Sequence, residues 1–177
     1  MPEIPGLTTD RLRLRGHEAK DYDALHGVWS DPAVTAHITG TPATPGESWA
    51  RLLKYAGHWA LAGYGFWAVE HRETGLYMGE VGLADHRRGL GPGFDGTPEA
   101  GWILAPHAQG QGYGREAMRA VLAWADATLN ADRTVCVITA AHAVSIRLAG
   151  DLGYREFGAT EAAGRETRLF ERRRAGP

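Results

Sequence analysis

The residues best suited to chemistry lie in one run, Pro106-His107-Ala108-Gln109-Gly110-Gln111-Gly112-Tyr113-Gly114-Arg115. Glycines at alternate positions free the backbone to turn, so that successive N–H groups can converge on one point. A helix beginning directly behind them aims its N-terminal partial positive charge at the same point. Such a nest binds phosphate or pyrophosphate without a lysine, and Arg115 or Arg119 can add a charged contact. A nucleoside-triphosphate loop needs Gly-Lys-Ser/Thr at its end; this run has no lysine, and that reading fails. A dinucleotide fingerprint fits only loosely, with Arg115 in the third-glycine place when counted from Gly110 and Ala117 when counted from Gly112.

Positioning such a nest takes a strand before it and a helix after it. Residues 99–105, with Trp102, Ile103 and Leu104, predict the strand. Residues 113–129 place Met118, Val121, Leu122, Ala125 and Leu129 on one helical face. The β-branched run 135–139 predicts a buried strand, so strand, helix and strand have the length of a parallel crossover. Earlier, residues 7–15 alternate into a first strand, and residues 18–30 form a helix that Asp31-Pro32 ends. Thr44-Pro45-Gly46-Glu47 is a capping box opening a second helix, and Arg72-Glu73-Thr74-Gly75 turns a hairpin between strands 64–71 and 76–85. A helix over 142–152 stops at Gly153, and strands at 155–159 and 166–172 finish the chain. The fold class is therefore α/β, with a mixed, mostly antiparallel central sheet, a parallel pair formed by its fourth and fifth strands, and helices on both faces. One domain over 1–177, with a core from about 7 to 172, accounts for the pattern.

Composition narrows the function. The 177 residues are 44% hydrophobic and 23% charged, as expected of a chain that buries a core. A formal net charge of −2 offers no basic field for nucleic acid, and Arg172-Arg173-Arg174 reads as a solvated tail. No run is long and apolar enough to cross a membrane, and the start lacks a signal-peptide pattern, which predicts a cytoplasmic chain. A lone Cys136 makes neither a disulfide nor a Cys-based zinc site and reads as core. The histidines show no metal-like spacing and read as surface or pocket residues, so no metal is expected. Trp59, Trp67 and Trp102 read as core fillers or as walls of a substrate pocket.

The segment Glu99-Ala100-Gly101-Trp102-Ile103-Leu104-Ala105-Pro106, followed by Gln109, Gly112 and Gly114, resembles the acetyl-CoA motif of GNAT N-acetyltransferases, whose core is Gln/Arg-x-x-Gly-x-Gly/Ala. The resemblance continues through Thr9-Asp10-Arg11-Leu12, Ser30-Asp31-Pro32, Gly79-Glu80-Val81-Gly82-Leu83, His142-x-x-Ser145 and Leu152-Gly153-Tyr154. In order and spacing these resemble the branch that acetylates the N-termini of ribosomal proteins. The resemblance implies acetyl-CoA as co-substrate, with its pyrophosphate on Gln109, Gly110, Gln111, Gly112, Tyr113 and Gly114 and with Arg115 alongside. Its pantetheine arm would pair with the backbone of Ile103, Leu104 and Ala105 like an added strand. A backbone N–H near Ile103 would polarise the thioester carbonyl. The acceptor would be a primary amine, on a protein N-terminus or a small molecule, attacking directly; the family's habit adds a homodimer.

At pH 7 an α-amino group is about one-tenth neutral and a lysine amine about one part in 2,500, so a base matters most for lysine-like acceptors. The resemblance makes Glu99 the first candidate base and Glu80 the second. The tyrosine that many members supply to protonate the leaving thiolate is replaced by Ala149, which leaves Ser145 as the donor. His142 stands where the family has Asn, either bonding the cofactor or shuttling protons. The linear sequence presents no acidic or basic stripe that would select among amines. The rival reading is a non-catalytic acyl-CoA-binding sensor built on the same cradle.

Overall fold

A computed structural model describes residues 3–91, 93–162 and 164–174. Its centre is an eight-stranded sheet in the order β1-β2-β3-β4-β5-β6-β8-β7. The strands are β1 (Leu7–Thr8), β2 (Leu12–Arg15), β3 (Phe66–His71), β4 (Tyr77–Ala84), β5 (Glu99–Leu104), β6 (Arg133–Thr139), β7 (Arg155–Ala162) and β8 (Arg165–Arg173). The helices are α1 (Tyr22–Trp29), α2 (Pro32–Thr35), α3 (Pro45–Ala62), α4 (Tyr113–Thr128) and α5 (Ala143–Asp151).

The expected first strand is broken in two. Thr9 N–H bonds the Leu12 carbonyl at 2.9 Å, and the Thr9 hydroxyl donates to Glu116 at 2.6 Å, turning the chain between β1 and β2. This extra strand shifts the numbering, so the parallel pair is β5 with β6 and not the fourth with the fifth. The first helix is shorter than expected because residues 19–21 form a 3-10 turn. Asp31-Pro32 does end it, but the same pair also starts α2: the Asp31 carboxylate caps Ala33 N–H at 2.8 Å and Pro32 takes the first turn. The capping box of α3 forms as expected, with Thr44 N–H donating to Glu47 at 2.7 Å, and Gly63 closes the helix at φ 74°.

Helices cover both faces because neighbouring residues of a strand point to opposite sides. On β3, Phe66 stacks on Tyr55 of α3 with ring centroids 4.9 Å apart, while Trp67 meets Trp124 of α4 at 5.1 Å. Between these layers β4 is buried along its whole length. Trp59 and Trp67 are core residues, at 4% and 0% exposure. Arg172 is not in a loose tail: it lies in β8 and holds Asp126 through two hydrogen bonds of 2.9 and 2.5 Å.

One departure from regular pairing shapes the molecule. β5 pairs with β4 at six positions and β6 with β8 at seven, yet β5 and β6 pair only at Glu99↔Val135. Beyond that point the two parallel strands splay apart. The backbone of β5 from Trp102 onward therefore has a strand on one side and an open cleft on the other.

Candidate active site

Two cavities open from this splay. A cleft of about 380 Å³ runs along the end of β5, past the start of α4, to α5. A second cavity of about 480 Å³ lies over the other half of the splay, walled by α3, β5, β6 and β8. They meet at Ile38, Trp102, Ile103, His142 and Ser145, which line both.

The cleft is built from backbone. Gly110 and Gly112 adopt φ 74° and 82°, a region that L side chains avoid, and a Cβ at Gly110 would point into open space. Gly112 is the N-cap of α4, and no side chain caps that helix. Its first-turn N–H groups thus remain available to an anion at the helix's positive end. Gln109 and Gln111 spend their amides on the loop itself, donating to Leu104 O at 3.1 Å and His107 O at 2.6 Å. Of the residues named from sequence, Ile103, Leu104, Gln109, Gly110, Gly112, Gly114, Arg115, His142 and Ser145 line the cleft. Ala105 turns its N–H to Met78 O at 2.9 Å, Tyr113 is buried under Arg11, and Gln111 lies outside the lining. An uncapped, glycine-lined helix start beside an unpaired strand edge fits the diphosphate and extended arm of acetyl-CoA.

At the junction a short polar chain forms. The Trp102 indole N–H donates to Ser145 Oγ at 3.2 Å, and Ser145 Oγ lies 3.4 Å from His142 Nε2. Ser145 is 8% exposed. Because its oxygen already accepts from Trp102, its own proton points toward His142 or the cleft. His142 stacks on His37 at 4.7 Å, and burial together with the His37 charge lowers its pKa, keeping the ring neutral near pH 7.

The two proposed carboxylates have separate surroundings. Glu99 lines the second cavity and is gripped by the Arg88 fork at 2.7 and 2.8 Å. Glu80 lines neither cavity. It sits fully buried behind the wall, accepting from Trp29 Nε1 at 2.7 Å, from Tyr77 Oη at 3.0 Å and from the Tyr55 hydroxyl. Burial pushes the Glu80 carboxyl up, but the His17 ring at 3.7 Å and the bonds from Tyr55 and Trp29 outweigh it and hold it below the usual range. His17, expected at the surface or in a pocket, is instead part of this buried cluster, its side chain 1% exposed. Cys136 borders the second cavity, but burial and then the Glu99 charge push its thiol upward, so it is no thiolate.

Sequence reading missed the cations of the second cavity: Arg51 and Lys54 from α3, Arg88 from the loop before β5, and Arg165 from β8. The only local signal is that Arg51, Lys54 and Tyr55 share one turn of α3. Nothing in the sequence links them to Arg88 or Arg165. Among the described residues no group of His, Cys, Asp and Glu could hold a metal, and no helix is long and apolar enough to cross a membrane.

Comparison with known proteins places the chain in a family. Residues 11–155 match the family model described as an acetyltransferase (GNAT) domain. An uncharacterised N-acetyltransferase, p20, from Bacillus licheniformis is 27% identical over 155 residues, covering 86% of this chain and 83% of that protein. A solved Bordetella pertussis chain assigned to the GNAT acetyltransferases is 33% identical, with a TM-score of 0.86 over 96% of this chain and 99% of that one. The fold is also shared, at 18% identity and a TM-score of 0.74 over 94% and 97% of the chains, by spermidine N-acetyltransferase from Vibrio cholerae in complex with CoA and spermine. With a family model spanning most of its length and a cleft shaped for the cofactor, this chain belongs to the GNAT acetyltransferase family and is an acetyl-CoA-dependent acetyltransferase.

Proposed function

We propose that this enzyme acetylates a primary amine by direct attack, with the amine in the second cavity and the acetyl donor in the cleft. The observation that carries this reading is the meeting of the two cavities at Trp102, Ile103, His142 and Ser145. Acetyl-CoA, when bound, supplies an acetyl thioester. The N–H groups of Gly110, Gly112 and the first turn of α4 hold its phosphates, with Arg115 and Arg147 at the rim. The open edge of β5 receives the extended arm, and a backbone N–H near Ile103 polarises the carbonyl.

Glu99 is the base in this scheme. It is the one carboxylate lining the acceptor cavity among the described residues. It shares a face of β5 with Ile103 about 13 Å along the strand, so the proton leaves the amine and reaches it through water in the cavity. Arg88 keeps it aimed. Glu99 takes the proton of the acceptor ammonium, so that a neutral amine attacks the thioester carbonyl. Glu80, enclosed by its donors, acts instead as a support for the Tyr55–Trp29 wall. Ser145 gives its proton to the departing sulfur and regains one from water in the cleft, with His142 Nε2 3.4 Å from its oxygen.

Calorimetric titration with acetyl-CoA, followed by thiol release on a panel of N-terminal peptides, lysine peptides, polyamines and amino acids, tests the scheme. Binding with turnover on one class, and a rate cut by Ser145→Ala without loss of cofactor affinity, is the expected result. Tight binding with no turnover on any amine, and Glu99→Gln indistinguishable from wild type, would favour the acyl-CoA sensor instead.

A further inference from the structure

The geometry points to an anionic acceptor: an amine that carries an oxyanion, carboxylate or phosphonate, on the same small molecule, received by Arg51, Lys54 and Arg165. This rests on the assignment of the second cavity to the acceptor. Four cationic side chains line that cavity against a single carboxylate, Glu99, which Arg88 already neutralises in a two-pronged ion pair. The other three have no carboxylate partner among the described residues. The Arg51 guanidinium lies 3.4 Å over the Trp29 ring, and its buried Nε has no hydrogen-bond partner. Arg165 donates to the carbonyls of Ala36 and Ile38 at 3.0 and 2.9 Å, which fixes its fork and leaves donors unspent. Lys54 Nζ stands 3.0 Å from His86 Nδ1, a neutral neighbour.

Among the described residues Glu47 and Glu80 form no ion pair with these cations, and the Glu99 charge offsets Lys54 only in part. Glu47, one turn before Arg51, is occupied with the Thr44 cap at 2.7 and 2.9 Å. Glu80 is sealed behind Tyr55 and Trp29 by its own three donors. The positive field is felt inside the cavity: burial and the charges of Arg51 and Arg88 lower the Lys54 pKa, and burial with Lys54 and Arg88 takes His86 down to about 3. Arg51, Lys54 and Arg165 line one cavity without a carboxylate ion pair of their own among the described residues, and an oxyanion supplies one. A polyamine meets the opposite situation, adding like charge to a cavity that already has it.

The test titrates the acetyl-CoA complex with an amino acid, its carboxamide, an aminoalkylphosphonate and spermidine. Binding is followed by the fluorescence of Trp29 and Trp102, and turnover by thiol release. Expected is at least about tenfold tighter binding of the carboxylate or the phosphonate than of the carboxamide, the size of one charge-assisted contact. Whichever of the two binds better identifies the oxyanion. Lys54→Gln, at an exposed position whose hydrogen-bond partner is the His86 ring, should narrow that gap severalfold, and Arg51→Gln should narrow it further. Acetyl-CoA affinity should stay unchanged in both, since neither residue lines the cleft. Equal binding of carboxamide and carboxylate, or preference for spermidine, overturns the proposal while leaving amine acetylation intact. Failure of acetyl-CoA itself to bind would instead overturn the functional assignment beneath it.

Discussion

The two cavities that meet at Trp102 and Ser145 are built in opposite ways. The cleft proposed for the cofactor takes its anion-binding N–H groups from one continuous segment, β5 through the first turn of α4, where glycine exposes them, while residues around α2 and α5 close its other side. The cavity proposed for the acceptor uses side chains from α3, the loop before β5, β6, α5 and β8, and its chemistry is charge gathered by the fold.

Breaking the cleft should give the largest effect. Gly110→Asp places a carboxylate where the diphosphate belongs, at a φ that Asp tolerates better than most residues, and should weaken acetyl-CoA binding by about a hundredfold or more. Calorimetry on a variant of unchanged melting temperature checks this; full affinity would dissolve the contrast between main-chain and side-chain sites. On the other side of the junction, Glu99→Gln should lower kcat by about a hundredfold, with the deficit shrinking as pH rises and the acceptor deprotonates unaided. The same substitution frees Arg88, so KM for an anionic acceptor should fall while acetyl-CoA affinity stays constant. A KM that rises would count against both roles of that ion pair.

The paired carboxylates sharpen the comparison further. Glu80→Gln, deep behind the wall, should cost about 2–3 kcal/mol through its lost charge-assisted bonds, lowering the melting temperature by roughly 4–12 °C. Glu99→Gln, at a half-open ion pair, should cost much less. The smallest effect is a pH limb. His86 is folded with a pKa of about 3, far below the unfolded value near 6.5. Below about pH 6.5 the unfolded chain takes up a proton that the folded chain refuses, so stability falls as pH drops toward 3. Urea titrations across that range should show the fall, and His86→Gln should flatten it.

How far the site was legible follows from how it is made. Gln109, Gly110, Gly112 and Gly114 could be found because their conformational demands are local. The strand before them and the helix after them were also legible from periodicity. Asp31-Pro32 was half-read, since the same two residues stop one helix and cap the next. The first strand was over-read: alternation in residues 7–15 looks continuous, and only the Thr9 hydroxyl reaching Glu116, more than a hundred residues away, shows why it breaks.

The sequence by itself determined the order of elements, the glycine cradle and the family to which they belong, because caps, periodicity and φ > 0 positions act over a few residues. Only the tertiary structure decided that β5 and β6 part after a single pairing at Glu99 and Val135. It alone separated Glu99, facing a cavity, from Glu80, sealed among Trp29, Tyr55 and Tyr77. It also brought Arg51, Lys54, Arg88 and Arg165 around one space, though they are scattered over more than a hundred residues. Electrostatics depends on distance through space, and that distance exists only after the sheet has formed.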